Sequence, residues 1–311
     1  MARTLSGSVD DITHLVTHVP SWFDDAVGHR PEHLEIEVEG CPIHARCWGQ
    51  PGRPGLVLVH GGGAHSGWWD HIAPMFAETH RVVAPDLSGH GDSGTRRAYT
   101  LQTWAREASA AGAAAEASGP VTVIGHSMGG FVTATAALLE PDLGGIMIID
   151  SPLRDRPPEE SRLSGSNRRP TGYRTREEIE SRFTSVPPQD IILPYVGSHI
   201  AAESVHETDS GWFWKFDPLV FEAGLFASKP PPAETLRRAL TEARCERGYF
   251  RCEFGIVPRR MATEIRGMLR GAGSYVELPD AGHHPMLDQP LVLTAVIRAL
   301  LAAWSVGASA R

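Results

Sequence analysis

The pattern of hydrophobic and polar residues changes its period along the chain. Apolar and charged residues alternate from Leu34 to Glu39 and again from Ile43 to Trp48, which predicts an antiparallel hairpin with one face in water. Leu56-Val-Leu-Val-His60 is instead a continuous apolar run, as expected for a strand buried in a parallel sheet. Similar patterns predict strands at 81–85, 121–124, 146–149, 248–254 and 274–278, and helices at 101–117, 131–139, 234–247, 259–269 and 290–304.

Residues 151–236 interrupt this succession of strands and helices. Proline-rich steps such as Val186-Pro-Pro188 separate helical pieces, and the sequence shows no strand-like run there. One helix begins at Thr175-Arg-Glu-Glu178, which has the pattern of a capping box. We therefore predict a helical insert at 151–236 that divides one core into residues 1–150 and 237–311.

Composition and charge exclude some classes of partner. The 311 residues are 41% hydrophobic and 21% charged, which suits one large globular domain or a domain with an insert. The net charge of -8 and the pI near 6.0 argue against nucleic acid or an anionic membrane as the main partner, because both attract a basic surface. We expect a small-molecule substrate instead. The oligomeric state does not follow from the sequence.

The cysteines and the amino end indicate a cytoplasmic protein. No cysteine pair has CxxC spacing and the histidines are scattered, so no zinc or redox motif is predicted. Met1 to Ser8 lacks the apolar run of a signal peptide, and no apolar segment reaches bilayer length. The four cysteines are Cys41, Cys47, Cys245 and Cys252.

A Gly-x-Ser-x-Gly motif stands where a predicted strand meets a predicted helix. The stretch is Val121-Thr-Val-Ile-Gly125-His-Ser127-Met-Gly129, followed by an alanine-rich segment. The glycines permit a tight turn, and the start of the helix directs free amide groups toward the serine. A bare Gly-x-Ser-x-Gly motif is weak, but a strand before it and a helix after it favour an exposed, reactive hydroxyl.

The chain resembles the α/β-hydrolase superfamily in four segments that occur in the family's order. They are the nucleophile elbow around Ser127, the loop His60-Gly-Gly-Gly63, the run Asp86-Leu-Ser-Gly-His-Gly-Asp-Ser-Gly94 and the loop Ala281-Gly-His283. The resemblance implies an α/β fold with a mostly parallel central sheet flanked by helices. It also implies that 151–236 is a helical cap, inserted after strand 6.

The same resemblance implies the nucleophile, its base and the groups that stabilise an oxyanion. A serine hydroxyl needs a base within hydrogen-bond reach, and the histidine directly after Gly282 is the family's position, so His283 is preferred over its neighbour His284. The amides of Gly62 and of Met128, the residue after the nucleophile, are the expected oxyanion donors. Gly63 is a near alternative to Gly62.

The acid of the triad is where the sequence departs from the commonest pattern. Gly255 occupies the place after the seventh core strand where the family usually has its aspartate. Asp150, at the end of the sixth strand, matches a minority position and is preferred over Glu253. Asp280 and Asp288 are weaker candidates.

Aromatic residues in the insert are candidates for substrate contact. Gly211-Trp-Phe-Trp-Lys-Phe-Asp-Pro218 contains four aromatic residues, which can wall an apolar pocket or anchor the insert to the core. Both interpretations stay open. If the rings face the substrate, Trp212 and Trp214 are the preferred residues.

Together these features predict a serine hydrolase that needs no metal or organic cofactor. The expected substrate is a small carboxylic ester or a lactone, cleaved through an acyl-enzyme. A serine at the elbow argues against haloalkane dehalogenases and epoxide hydrolases, whose nucleophile is an aspartate. Two alternatives remain: a carbon–carbon hydrolase of a diketone, and an inactive member that only binds a small ligand.

Overall fold

An eight-stranded sheet forms the centre of the protein in a computed structural model, which describes residues 19–154, 172–222 and 229–309. The strands, in chain order, are β1 (Glu32–Val38), β2 (Cys41–Trp48), β3 (Pro54–Val59), β4 (Arg81–Pro85), β5 (Ser118–His126), β6 (Gly145–Ile149), β7 (Val205–Thr208), β8 (Gly211–Trp214), β9 (Glu246–Phe254) and β10 (Ser274–Gly282). In space the large sheet runs β1-β2-β4-β3-β5-β6-β9-β10. The β1–β2 and β2–β4 pairs are antiparallel and the remaining pairs of this sheet are parallel, which agrees with the predicted mostly parallel sheet.

Helices cover both faces of the sheet. They are α1 (Ser21–Gly28), α2 (Leu101–Ala114), α3 (Met128–Leu139), α4 (Arg176–Glu180), α5 (Pro194–Glu203), α6 (Leu219–Glu222), α7 (Pro232–Glu242), α8 (Arg259–Leu269), α9 (Pro285–Asp288) and α10 (Pro290–Ser309). Thr175 caps α4 by accepting a hydrogen bond from the Glu178 amide at 3.1 Å, as the capping-box pattern predicted. No helix among the described residues is long and apolar enough to cross a membrane.

The continuous apolar runs arise because each central strand is buried on both faces. In β3, Val57 and Val59 belong to one hydrophobic cluster, whereas Leu56 and Leu58 belong to the cluster on the other face. Helices α2, α3, α7 and α8 supply side chains to the first cluster, and α10 supplies side chains to the second.

The described part of the predicted insert is not wholly helical. It contains α4, α5 and α6, but β7 and β8 form a separate antiparallel hairpin that the sequence pattern did not predict. Its strands have only four residues each, and most of the residues remain at least partly exposed, so there is no buried alternating face to detect. The predicted boundary at residue 236 falls inside α7, which packs on α3.

Parallel pairing brings the predicted functional segments to one edge of the sheet. Because β3, β5, β6, β9 and β10 are parallel, the loops at their carboxyl ends meet at the same edge. The glycine loop, the Ser127 turn and the turn at Asp150 follow three of these strands, and His283 follows a fourth.

Candidate active site

Ser127 lies on a strained corner between β5 and α3. Its φ of +54° and ψ of -114° are unusual for a residue with a side chain. Gly125 and Gly129 allow this corner: a Cβ on Gly125 would lie 2.1 Å from the Gly129 carbonyl oxygen, and a Cβ on Gly129 would lie 2.5 Å from the His60 carbonyl oxygen. The packing therefore requires glycine at both motif positions, and the turn presents the serine at the carboxyl edge of the sheet.

A continuous hydrogen-bonded chain joins Ser127, His283 and Asp150. Ser127 Oγ lies 2.9 Å from His283 Nε2, and His283 Nδ1 lies 2.8 Å from Asp150 Oδ2. His283 is 3% exposed and Asp150 is fully buried. An imidazole held in this way by a carboxylate can accept the proton of a serine hydroxyl.

Backbone amides hold the Asp150 carboxylate in place. Cys252 N donates to Oδ1 at 3.2 Å, and Ile256 N donates to Oδ2 at 2.9 Å. Asp150 itself has a φ of +48° and follows directly after β6. The carboxylate is thus supported from β9 and the turn after it, while its residue belongs to the end of β6.

The absence of a side chain at Gly255 is explained by the position of Asp150. A Cβ on Gly255 would lie 2.1 Å from Asp150 Oδ2, so the Asp150 carboxylate fills the space beside this turn. The competing carboxylate of Glu253 instead accepts a hydrogen bond from the Asp280 amide at 3.1 Å. The structure places Asp150, and not Glu253, against the ring of His283.

Gly255→Ala is expected to lower kcat about 100-fold, because moving a catalytic group by about 1 Å has an effect of that size. The added methyl group must push the Asp150 carboxylate away from His283 Nδ1. Steady-state kinetics with an ester substrate measures the effect. Gly267→Ala is the matched control, since a Cβ on Gly267 meets nothing within 4 Å. Unchanged kcat in Gly255→Ala, in a protein that unfolds at the wild-type temperature, would contradict this account.

Gly62 and Met128 lie next to each other beside Ser127. A Cβ on Gly62 would lie 3.6 Å from Met128 Sδ. Within the described residues neither amide donates to a protein acceptor, and Met128 is the first residue of α3, where the amide has no partner inside the helix. Gly63, the near alternative, has a φ of +71°.

His60 and Asp86 fix the shape of the glycine loop. His60 Nε2 accepts a hydrogen bond from Leu87 N at 3.0 Å, so its Nδ1 carries the hydrogen and donates to Gly61 O at 2.7 Å. Asp86, which the sequence analysis did not place in the triad, accepts from Ser66 N at 2.5 Å. These bonds tie the loop after β3 to the end of β4.

Gln189, from the predicted insert, holds the loop that carries His283. Its Oε1 accepts from the His284 amide at 2.9 Å and from His284 Nδ1 at 3.1 Å. Its Nε2 donates to Asp288 Oδ2 at 3.2 Å, and the same oxygen accepts from Gly282 N at 2.6 Å. Asp288 therefore supports the loop rather than the ring of His283, and no sequence pattern indicated Gln189.

Asp288→Asn is expected to stabilise the protein more at pH 7 than at pH 4. Burial raises the pKa of Asp288 to about 6, although the Gly282 amide opposes the shift. Between the ordinary pKa of an aspartate and pH 6 the folded state holds more protons than the unfolded state, so ionisation of this group lowers stability as pH rises. An asparagine at this position does not ionise, so the variant does not lose stability in this way as pH rises. Thermal unfolding of both proteins from pH 4 to pH 8 measures the difference, which should grow up to about pH 6 and then stay constant. A difference independent of pH would contradict the assignment.

The two predicted substrate-contact residues lie on the hairpin of the insert. The ring of Trp214 lies 6.4 Å from that of Phe183, which in turn lies 6.1 Å from Trp68, a neighbour of His284. Trp212 instead lies beneath the guanidinium of Arg176, at 5.7 Å. Trp214 is thus linked to the site through other rings, whereas Trp212 contacts α4.

Phe221 contacts the glycine loop and was missed by the sequence analysis. Its ring lies 3.3 Å from the Cβ position of Gly62 and 3.1 Å from that of Gly63, yet 45% of the residue is exposed. The only sign of this contact in the sequence is that Phe221 belongs to a run of three apolar residues directly after Pro218. The contact depends on how the insert folds over the sheet edge, and no local pattern encodes that.

Comparisons with known proteins agree with this architecture. The model of the Alpha/beta hydrolase family matches residues 56–296. The chain is similar to esterase Rv0045c of Mycobacterium tuberculosis, with 25% identity over 278 residues that cover 86% of this chain and 89% of the relative. It is also similar to lipase LipV of the same organism, with 26% identity over 285 residues that cover 83% of this chain and 97% of the relative.

A solved structure has a similar fold over most of this chain. The thioesterase domain from the curacin biosynthetic pathway superposes with a TM-score of 0.72 and 20% identity, covering 86% of this chain and 99% of that domain. At this identity the likeness concerns the fold. The esterase and the lipase support a hydrolase of the α/β fold with an ester-cleaving function. Because the family model spans well over half of the sequence, from residue 56 to residue 296, this chain belongs to the Alpha/beta hydrolase family.

Proposed function

We propose that this protein is a serine hydrolase that cleaves a small carboxylic ester or a lactone through an acyl-enzyme, without a cofactor. The observation that carries the proposal is the chain of contacts from Ser127 Oγ to His283 Nε2, at 2.9 Å, and from His283 Nδ1 to Asp150 Oδ2, at 2.8 Å. We further propose a small-molecule substrate and a cytoplasmic location.

In the proposed first step, Ser127 Oγ attacks the carbonyl carbon of the ester. His283 Nε2 takes the hydroxyl proton as the new carbon–oxygen bond forms, and the carboxylate of Asp150 stabilises the resulting imidazolium. The bond to the leaving alcohol then breaks, and His283 returns the proton to the alcohol oxygen. The acyl group remains on Ser127.

The amides of Gly62 and Met128 stabilise the negative oxygen that forms in this step. Donors of this kind act best about 2.7–3.1 Å from the oxyanion, and removing one lowers the rate roughly 10²–10³-fold. Support for the assignment comes from the proximity of these two residues and from their amides, which have no acceptor among the described residues.

In the second step, water replaces the alcohol. His283 Nε2 takes a proton from the water, whose oxygen attacks the acyl carbon, and the same proton then passes to Ser127 Oγ as the ester bond breaks. A carboxylic acid leaves and the serine hydroxyl is restored. A lactone follows the same course, except that the leaving alcohol stays attached to the acid.

We propose that residues 151–236 act as a cap over this site. Two observations from the insert support the idea: Phe221 packs on Gly62 and Gly63, and Gln189 binds the loop of His283 and His284. The cap therefore contacts both the oxyanion loop and the histidine loop.

Charged groups anchor the cap to the core. Arg46, on β2, donates to Asp70 Oδ2 at 2.5 Å and to Glu203 Oε2, on α5, at 2.6 Å. His199, also on α5, lies 2.9 Å from the same Asp70 oxygen. Because Arg46 and Asp70 are nearly buried, removing Arg46 would leave the buried Asp70 carboxylate without its guanidinium partner. This network supports a fixed position for α5.

Hydrolysis of p-nitrophenyl acetate and butyrate tests the proposed reaction, with an aliphatic lactone and a 1,3-diketone assayed alongside. We expect turnover of the esters, of the lactone or of both. Turnover of the diketone alone would favour carbon–carbon hydrolysis. No turnover of any of them, together with binding of a small ligand, would favour an inactive member of the fold.

A further inference from the structure

Side chains from two distant elements bind the peptide unit between His283 and His284. Its carbonyl oxygen, which belongs to His283, accepts a hydrogen bond from His126 Nε2 at 2.8 Å. Its amide, which belongs to His284, donates to Gln189 Oε1 at 2.9 Å. A peptide unit is planar, so bonds at both of its polar groups fix its orientation and the backbone that carries the ring of His283. Neither His126 nor Gln189 has a step in the proposed reaction.

His126 reaches this peptide from the corner that carries the nucleophile. It is the last residue of β5 and stands directly before Ser127. Burial lowers the pKa of His126 well below its ordinary value, so the ring is neutral, and the carbonyl acceptor places its single hydrogen on Nε2. A Cβ on Gly61 would lie 3.0 Å from His126 Nδ1, so the ring also packs on the glycine loop. His126 therefore joins the serine corner, the glycine loop and the histidine loop.

Gln189 reaches the same peptide from the insert. Its Oε1 also accepts from His284 Nδ1 at 3.1 Å, and its Nε2 donates to Asp288 Oδ2 at 3.2 Å. Asp288 Oδ2 in turn accepts from the Gly282 amide at 2.6 Å. A Cβ on Gly282 would lie 3.0 Å from Gln189 Oε1, so the absence of a side chain there lets the glutamine approach the loop. Directly and through Asp288, Gln189 thus holds the loop on both sides of His283.

We propose that His126 and Gln189 are positioning residues, which hold one peptide from two sides and thereby keep the ring of His283 against the nucleophile. His283 Nε2 lies 2.9 Å from Ser127 Oγ, within the reach that a general base requires. Displacement of a catalytic group by about 1 Å lowers the rate about 100-fold. The inference rests on the proposed function, and it makes the insert part of the catalytic arrangement because the insert supplies one of the two bonds.

Single substitutions test each bond. Gln189→Leu and His126→Leu should each lower kcat for p-nitrophenyl butyrate about 10- to 100-fold with little change in KM, because the base moves while the groups that bind substrate stay in place. His126→Gln keeps an N–H donor and should recover part of the rate. Gln50→Leu, at an exposed glutamine in the loop between β2 and β3, is the matched control and should keep the wild-type kcat. Wild-type kcat in both leucine variants, or a loss confined to KM, would overturn the proposal.

The double variant distinguishes one shared peptide from two separate effects. If both side chains hold the same peptide, the second substitution affects a peptide that the first has already released. The loss of kcat in Gln189→Leu with His126→Leu should therefore be well below the product of the two single losses. Losses that multiply would contradict a shared role. Thermal unfolding of each variant establishes that it is folded at the assay temperature.

Gln189→Glu provides a readout that a loss of stability alone does not produce. The titratable groups bonded to Gln189 are Asp288 and the ring of His284, whose pKa burial lowers well below the ordinary value. The introduced carboxylate keeps the acceptor but adds a second negative charge beside Asp288, so the two carboxylates share a proton at low pH and repel each other at high pH. The ratio of variant to wild-type kcat should be highest at about pH 5–6 and fall about 10-fold by about pH 8. A ratio that stays constant over this range would dismiss Gln189 as a positioning residue.

Proton NMR tests the position of the ring without any substrate. The N–H of His283 lies against the carboxylate of Asp150, at 2.8 Å between Nδ1 and Oδ2, and should give a resonance well downfield of the backbone amides. His283→Gln identifies this resonance by removing it. Gln189→Leu and His126→Leu should shift or broaden it, whereas Gln50→Leu should leave it unchanged.

The same spectrum separates this proposal from the proposed function. If the wild type hydrolyses no ester, the proposed function fails, and the resonance of His283 alone decides whether the two side chains hold its ring. A wild-type spectrum without the resonance, or an identical resonance in wild type, Gln189→Leu and His126→Leu, would overturn the proposal.

Discussion

Ser127→Ala is expected to lower kcat for p-nitrophenyl butyrate about 10⁴- to 10⁶-fold, because the variant has no atom that can form the acyl-enzyme. KM should change little, since the hydroxyl contributes little to binding of the ground state. Rates under saturating substrate, corrected for spontaneous hydrolysis, measure the loss.

The control for this variant is Ser181→Ala, at an exposed serine after α4 whose hydroxyl donates to the backbone oxygen of Glu178 in its own helix. Both variants should unfold near the wild-type temperature. Turnover that survives in Ser127→Ala at more than a small fraction of the wild-type rate would dismiss Ser127 as the nucleophile.

Asp150→Asn is expected to lower kcat about 10⁴-fold, because an amide NH₂ facing His283 Nδ1 favours the wrong tautomer. In that tautomer Nε2 carries the hydrogen and cannot accept the proton of Ser127. The loss should appear in kcat more than in KM, and it should resemble the loss caused by His283→Gln.

Glu253→Gln is the matched control for Asp150→Asn, because the sequence left both carboxylates as candidates. Glu253 binds the Asp280 amide at 3.1 Å, away from the ring, so kcat should stay close to the wild-type value. A larger loss in Glu253→Gln than in Asp150→Asn would overturn the assignment of the acid.

The sequence predicted the fold well where hydrophobic runs are buried on both faces. Continuous runs such as Leu56 to Val59 have few alternatives to a central parallel strand. The carboxyl ends of parallel strands share one edge, so the order of the motifs was enough to bring Ser127 and His283 together. The ends of elements were less predictable: β5 begins at Ser118, although the pattern predicted this strand only from residue 121, and α2 ends at Ala114 rather than at residue 117.

The remaining features depend on contacts between distant segments. Asp150 and Glu253 could not be separated by pattern, because the choice rests on the space beside Gly255 that the Asp150 carboxylate fills. Gln189 and Phe221 reach the site from the insert, whose short elements have no strong periodicity. Their contacts follow from the path of the chain over the sheet edge rather than from local sequence.

Formation of a covalent bond at Ser127 is the central claim, and a fluorophosphonate tests it most directly. This reagent phosphonylates a serine only when a neighbouring base and oxyanion donors activate it. Mass spectrometry of the intact protein should show one adduct, peptide mapping should place it on Ser127, and His283→Gln should lose it. An adduct on another residue, or ester hydrolysis that continues with Ser127 fully modified, would contradict the account.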